Sequence, residues 1–105
     1  MTNLKYSMAE HILKTDPKVF KDSWDETKQF EIRLDDRNFQ VGDTLFLRET
    51  EFSGKEMEEG FVLNYTGRFI ELDVIYKLEG EYGLQPGWCI LGTSLITTGE
   101  KWYED

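Results

Sequence analysis

The stretch RFIELDVIYKL, residues 68–78, decides the fold class of this chain. Every second position in it is apolar, and the apolar row comprises Ile70, Leu72, Val74, Tyr76 and Leu78. The residues between them include Glu71, Asp73 and Lys77. This period of two is the pattern of a β-strand with one apolar and one polar face. We therefore predict a strand whose five apolar side chains all face a core.

Shorter strand patterns lie on both sides of this stretch. Segment 7–14, SMAEHILK, favours a first strand, and TLFLRE at 44–49 favours another. Between them, Phe30, Ile32 and Leu34 alternate with Gln29, Glu31 and Arg33, which predicts a strand with a dry face and a polar face. WCILGTSLI at 88–96 is apolar on both faces, as in a buried central strand. The chain is thus expected to be a single domain over residues 1–105, mainly β (α+β), with five to six strands in a curled sheet or pseudo-barrel.

One main helix is predicted at about residues 16–27. Asp16 suits the N-cap and Pro17 the first helical position, where a missing N–H is harmless. The apolar face comprises Val19, Phe20, Ser23 and Trp24, and we expect it to cap the barrel. Segment 51–60 shows no periodicity, so we predict a mobile loop that offers the core only Phe52 and Met57.

Composition restricts the classes of partner. The 105 residues carry a net charge of −9, but residues 1–40 hold seven basic and eight acidic side chains, whereas residues 41–105 hold five and thirteen. This balance argues against binding of duplex DNA, and any anion site is expected in the first forty residues. No apolar run is long enough to span a membrane, no secretory signal is apparent, and Cys89 is the single cysteine, so a cytoplasmic location without metal or cofactor is expected.

Three ordered motifs carry a family resemblance: HILKTDPKVF at 11–20, KQFEIRLDDRNFQVGD at 28–43 and YTGR at 65–68. Together they resemble a small branch of the PUA-like superfamily related to ASCH (activating signal cointegrator homology) domains. The resemblance implies a pseudo-barrel with a helix after the first strand, and an RNA- or nucleotide-binding cleft between helix and barrel. The ASCH hallmark Gly-x-Lys-x-x-Glu-x-Arg reads ETKQFEIR at 26–33, so Lys28, Glu31 and Arg33 match and Glu26 replaces the glycine.

The candidate site is centred on these motif residues. Glu31 and Arg33 share a strand face, and Lys28 joins them if it lies in the turn before the strand. With Arg37 from the following loop, three cations would surround one carboxylate on a concave surface and grip phosphate or a base edge. Without the motif, the pattern favours a solvated, salt-bridged strand.

Other residues have two interpretations each. Lys14 and Arg68 are further ligand-binding candidates, although exposed or locally paired cations are common. His11 is either a packing histidine or a cleft residue, and Phe20 and Trp24 either stack a base or fill the core. Tyr65 and Thr66 accompany Arg68, with Gly67 permitting a bulge. Asp43 is expected to close a turn, and Cys89 to be an inert core thiol.

Three functions follow from these residues. The first is a binding module for RNA, or for a nucleotide or modified base. The second is an ASCH-like hydrolase, either a nucleoside amidohydrolase or a ribonuclease, with Lys28 and Glu31 as the catalytic proton-transfer pair. The resemblance implies that hydrolases of acetylated cytidine place a threonine three residues after the motif lysine, where this chain has Glu31. The third is a protein-interaction domain whose acidic second half binds basic partners. We rank binding first.

Overall fold

The computed structural model describes residues 8–80 and 82–102. Its five strands are β1 (Glu10–Thr15), β2 (Phe30–Leu34), β3 (Thr44–Thr50), β4 (Tyr65–Glu79) and β5 (Trp88–Gly99). Two helices accompany them, α1 (Pro17–Trp24) and α2 (Gly54–Glu58). The strands form one sheet in the order β1-β3-β4-β5-β2, curled into a half-barrel, with β1 and β3 parallel and all other pairs antiparallel. The domain is therefore mainly β.

The core lies on the concave side of the sheet, under α1. It contains the buried side chains of Leu13, Phe20, Phe39, Leu45, Leu47, Ile70, Leu72, Val74, Cys89 and Leu91. Phe20 is fully buried and Trp24 packs against the cluster, so α1 is held on the sheet by its aromatic residues. Val19, expected on the same face, is 38% exposed, because α1 has only eight residues and presents a narrow stripe to the sheet.

Helix α1 is shorter than the predicted span of 16–27. Asp16 is its N-cap residue and Pro17 its first residue, as expected. The Asp16 carboxylate, however, accepts a hydrogen bond from the N–H of Gly54 (3.1 Å) and caps no N–H of α1. The chain leaves the helix after Trp24, because Glu26 adopts a left-handed conformation with φ of 62°.

The prediction of an irregular loop at 51–60 is wrong, because α2 lies within it. Ser53 and Glu56 form a capping box, in which each side chain accepts a hydrogen bond from the other residue's backbone N–H. The Phe52 ring packs on that of Phe61 at 4.8 Å between centroids, and Met57 is half-buried. The predicted mobility of this segment stays a prediction.

Strand β4 follows the predicted alternation for only part of its length. Ile70, Leu72 and Val74 are buried, but Tyr76 is 59% exposed and Leu78 is only half-buried. The register to β5 shifts between Val74 and Tyr76, so an extra residue, Ile75, interrupts the pairing. Such a bulge reverses which face each later side chain occupies. The expected five-residue inward row therefore ends at Val74.

The two faces of β2 are reversed relative to the prediction. Glu31 is 3% exposed, whereas the three apolar residues of the alternation, Phe30, Ile32 and Leu34, are 45–49% exposed. Alternation defines two faces of a strand but does not state which one faces the core. Similarly, β5 is not buried on both faces, because its inward Cys89 and Leu91 are buried but Trp88 is 36% exposed.

Among the described residues, no helix combines the length and the hydropathy that crossing a bilayer requires.

Candidate functional site

The buried carboxylate of Glu31 lies between two cations beneath the end of α1. Lys28 Nζ donates to Glu31 Oε2, and Arg33 donates to Glu31 Oε1 from both Nε (3.1 Å) and Nη2 (2.8 Å). Lys28 reaches the carboxylate because it precedes β2, in the turn that follows α1. The side chains of Lys28 and Arg33 retain 15% and 23% of their exposure. The structure thus brings together the three residues that match the ASCH hallmark.

Arg33 also joins the two edges of the half-barrel. Its Nη1 donates to the backbone carbonyl of Lys14 at 3.2 Å, and its Nη2 lies 3.3 Å from Thr15 Oγ1. Arg37 makes a parallel contact from Nη1 to the carbonyl of Ile12 at 2.9 Å. The two guanidinium groups therefore satisfy edge carbonyls of β1, which lies opposite β2 across the opening of the sheet. The Lys14 side chain is exposed, so this residue contributes its backbone and not its ammonium to the group.

A second buried carboxylate, Glu49, was missed by the sequence analysis. Arg68 grips it with two bonds of 2.9 and 2.8 Å, and Thr66 Oγ1 donates to it at 2.7 Å. The carboxylate raises the pKa of the Arg68 guanidinium, which also lies over the rings of Phe20 and Trp24. The sequence could have indicated its burial, because Glu49 lies at every second position with Leu45 and Leu47 and therefore on the same inward face of β3. Arg68 thus anchors α1 and is not bonded to Glu31.

The cleft at the end of α1, here called the helix-mouth cleft, has a volume of about 320 Å³. Its walls combine apolar and polar groups, from Ser23, Glu26, Lys28, Gln29, Leu72, Ile75, Thr93, Ser94, Leu95 and Ile96. Lys28 is the sole cation in this lining. Its ammonium carries three N–H groups; within residues 8–80 and 82–102, acceptors are found for two, Glu31 Oε2 and Ser23 Oγ at 3.4 Å. The ammonium also lies 5.2 Å from the centroid of the Phe30 ring, so a ligand in the cleft would compete for the third N–H with a weak contact only.

Arg33 and Arg37 line a different cleft of about 270 Å³, together with Ile32, Leu34, Trp88 and Asp36. We call it the seam cleft, because it follows the opening between β1 and β2. Lys28 lines the helix-mouth cleft and not the seam cleft. Lys28 thus lies at one cleft, and Arg33 and Arg37 at the other, while Lys28 and Arg33 meet at Glu31. That all four residues share one concave surface stays a prediction. Glu31 pairs with Arg33 and not with Arg37, because the latter lies beyond the end of β2 and reaches the edge of β1 and Asp36.

Glu26 occupies the position of the hallmark glycine and adopts the backbone conformation that favours glycine, with φ of 62°. Left-handed backbone costs an ordinary residue ~1–2 kcal/mol. Glu26→Gly is therefore expected to raise the free energy of unfolding by about 0.5–1 kcal/mol, after the greater chain entropy of unfolded glycine is subtracted. Urea denaturation measures this change. Glu26→Gln, which removes the charge but keeps the left-handed backbone, is the matched control. Equal stability of Glu26→Gly and Glu26→Gln would show that this backbone conformation does not destabilise the fold.

His11 and Asp43 are structural. His11 Nε2 and Asp43 Oδ2 lie 2.8 Å apart, both residues are buried, and the His11 ring contacts Phe39 edge-on. Asp43 also accepts hydrogen bonds from the N–H groups of Gln40 (2.9 Å) and Ala9 (3.1 Å). Asp43 closes the predicted turn in this way, and His11 has the packing role that was one of its two interpretations.

Acid is expected to destabilise the fold through two carboxylates. Burial raises the pKa of Asp43, but hydrogen bonds from His11 and from the Gln40 and Ala9 amides outweigh it and hold the pKa below its ordinary value. The hydrogen bond from Lys77 lowers the pKa of Asp35 in the same direction. A carboxylate with a depressed pKa stabilises the folded state fully above its ordinary value and loses that contribution as the pH falls through the folded value.

Urea denaturation between pH 7 and pH 2 tests this expectation. The free energy of unfolding should fall steeply below about pH 4. Asp35→Asn and Asp43→Asn should each flatten that fall while lowering stability at pH 7 by about 1–3 kcal/mol, the cost of a lost charged hydrogen bond. If the free energy of unfolding falls with pH at the same slope in wild type and both variants, groups other than Asp35 and Asp43 cause the acid destabilisation.

The remaining candidates have structural surroundings. Phe20 and Trp24 pack together, at 5.8 Å between ring centroids, and belong to the core. Tyr65 lies under the guanidinium of Arg48, at 3.8 Å. Cys89 is fully buried, and its burial raises the pKa of the thiol. Across the described part of the chain, no three His, Cys, Asp or Glu side chains cluster in a way that would hold a metal ion.

Comparison with known proteins identifies a family. The family described as a domain of unknown function (DUF3850) matches residues 10–93, from β1 into β5. This range contains the lining residues of both clefts except Ser94, Leu95 and Ile96 of the helix-mouth cleft. The chain belongs to this family. No match to a curated protein was found.

Proposed function

We propose that the chain binds RNA or a small nucleotide-like ligand in the helix-mouth cleft, as a PUA-like domain related to ASCH domains. The observation that carries the proposal is the Lys28 ammonium, which lines this cleft and is held in place by Glu31 and Ser23. Because Glu31 and Ser23 already hold the Lys28 side chain in one conformation, binding a ligand costs little further side-chain entropy. The reducing cytoplasm is the compartment we propose, in keeping with a free, buried cysteine.

The lining of the cleft suits a single nucleotide unit. Apolar side chains of β4 and β5 offer contact to the flat face of a base, and Gln29, Thr93 and Ser94 offer hydrogen bonds to its edge. The charges of Lys28 and Glu26 cancel, so the lining favours a neutral or singly charged ligand over a polyphosphate. The net charge of −9 disfavours an extended phosphate chain for the same reason. RNA would therefore bind through one splayed nucleotide.

Calorimetric titration with nucleosides, nucleoside monophosphates, modified nucleosides and short single-stranded RNAs tests this proposal. We expect at least one of these ligands to bind with a dissociation constant on the order of 1–100 µM, and duplex DNA of the same length to show no binding at physiological salt. A panel without binding at millimolar ligand, or tighter binding of the duplex than of any other ligand, would contradict it.

A hydrolase is the second candidate, favoured by the direct contact of Lys28 with Glu31. A proton-transfer pair needs hydrogen-bonding distance, and these two side chains meet that requirement at the wall of the cleft. Glu31, however, is 3% exposed and accepts hydrogen bonds from two cations, which is the arrangement of a positioning residue. We therefore rank binding first. Turnover of a modified nucleoside or RNA that Glu31→Gln reduces by ~100-fold, with binding retained, would reverse this ranking.

A further inference from the structure

The convex side of the sheet carries an uncharged apolar surface over β2, β5 and β4, here called the outer apolar face. The strand register places its side chains in three rows. Phe30, Gly92 and Tyr76 form one row, Ile32, Ile90 and Leu78 the next, and Leu34 and Trp88 the third. Directly paired residues of antiparallel strands share a face. All eight positions are uncharged, although 31% of the chain is charged.

This face is large for an exposed apolar surface. Its five most exposed side chains, Phe30, Ile32, Leu34, Tyr76 and Trp88, are between 36% and 59% exposed. At ~150–250 Å² for a full side chain, they present about 450 Å² of mostly apolar area. Contiguous patches of a few hundred Å² on a soluble domain commonly mark interaction sites. The face exists because β2 directs its charged side chains, Glu31 and Arg33, inward, where they bond to each other. Its apolar row of Phe30, Ile32 and Leu34 is therefore left outside.

We propose that two copies of the chain associate through their outer apolar faces. Pairing two faces would bury about 900 Å², and Leu84, which lies in a shallow cleft with Ile32 and Trp88, would bring the total to about 1,000 Å², the lower limit of specific interfaces. That area fits a weak, reversible dimer. The inference is independent of the proposed ligand site.

The absence of charged side chains from the face argues against a basic partner at this surface. A basic protein would be attracted to the carboxylates elsewhere on this acidic chain, and an uncharged face offers it no electrostatic gain. Another copy presents an uncharged face of matching size and needs only two-fold symmetry to align the rows. Two copies that each carry a net charge of −9 also repel one another, so screening by salt should strengthen their association.

Sedimentation equilibrium of the full chain at about 5–500 µM tests the proposal. We expect a monomer–dimer equilibrium with a dissociation constant on the order of 10–100 µM at ~0.1 M salt, and tighter association at ~1 M. Tyr76→Glu and Ile32→Glu each place a carboxylate in the face, on different strands, and should weaken association at least about tenfold. Both side chains are about half exposed, so the thermal midpoint of each variant should remain near that of wild type.

Val62→Glu is the control for added charge. Val62 is 78% exposed in the segment that precedes β4, outside the face, and this variant should associate like wild type. Three results would overturn the proposal: a monomer at every concentration, association that salt weakens, or association that neither Tyr76→Glu nor Ile32→Glu reduces.

Discussion

Replacing Glu31 with alanine is expected to lower the free energy of unfolding by about 3 kcal/mol. The carboxylate is 3% exposed and accepts three hydrogen bonds from Lys28 and Arg33. Removing it leaves two partly buried cations facing one another without a counter-charge, and the loss of one partner from a buried ion pair typically costs 3–5 kcal/mol. The residual exposure of the two cations places the expected value at the lower end.

Two other variants isolate the cause of this loss. Glu31→Gln keeps the shape and the hydrogen-bond acceptor, and should cost about 1–2 kcal/mol. Glu79→Ala removes a carboxylate that is 63% exposed and lies 3.6 Å from Lys77, so it should cost under ~1 kcal/mol. Equal losses for Glu31→Ala and Glu79→Ala in urea denaturation would show that Glu31 does not hold the cation pair together.

Replacing Lys28 with methionine is expected to weaken ligand binding by ~10–100-fold, the effect of losing a charged hydrogen bond. Methionine retains the apolar stem, so the shape of the helix-mouth cleft is preserved. Calorimetry with the tightest ligand of the nucleotide panel measures the change, and the folded state of the variant is checked by its denaturation curve.

Lys21→Met is the matched control for Lys28→Met. Lys21 lies on α1, its side chain is 73% exposed, and it pairs with Asp25 at 2.8 Å. The substitution changes the net charge of the chain by the same amount but does not touch the lining of either cleft. We expect its dissociation constant to stay within about twofold of wild type. A similar loss of affinity in both variants would mean that net charge, and not the position of Lys28, governs binding.

Local patterns in the sequence predicted several elements, because the physics that forms them is local. The start of α1 at Pro17 and the inward row Ile70, Leu72 and Val74 follow directly from helix-capping chemistry and strand alternation. The sequence left the link between Lys28 and Glu31 conditional on Lys28 lying in the turn before the strand, and the structure meets that condition. The capping box of Ser53 and Glu56 had a readable signature, Ser-x-x-Glu, that the analysis missed.

Other features depend on contacts between distant segments and could not be predicted from alternation. The orientation of β2 depends on whether its charged face finds partners, and those partners include the carbonyl of Lys14 and the hydroxyl of Thr15 on another strand. The bulge at Ile75 is determined by the pairing of β4 with β5. It turns Lys77 toward the interior, where it bonds Asp35 and the carbonyl of Phe39, both at 2.7 Å.

Amide chemical-shift mapping with the tightest ligand of the nucleotide panel tests whether that ligand occupies the helix-mouth cleft. We expect the largest shifts at the described residues that line this cleft, in segments 23–29 and 93–96. Residues of the seam cleft around Arg37 and those of the outer apolar face should shift little. Large shifts confined to Arg33, Arg37 and Trp88, with segment 93–96 unchanged, would place the ligand in the seam cleft and contradict binding in the helix-mouth cleft.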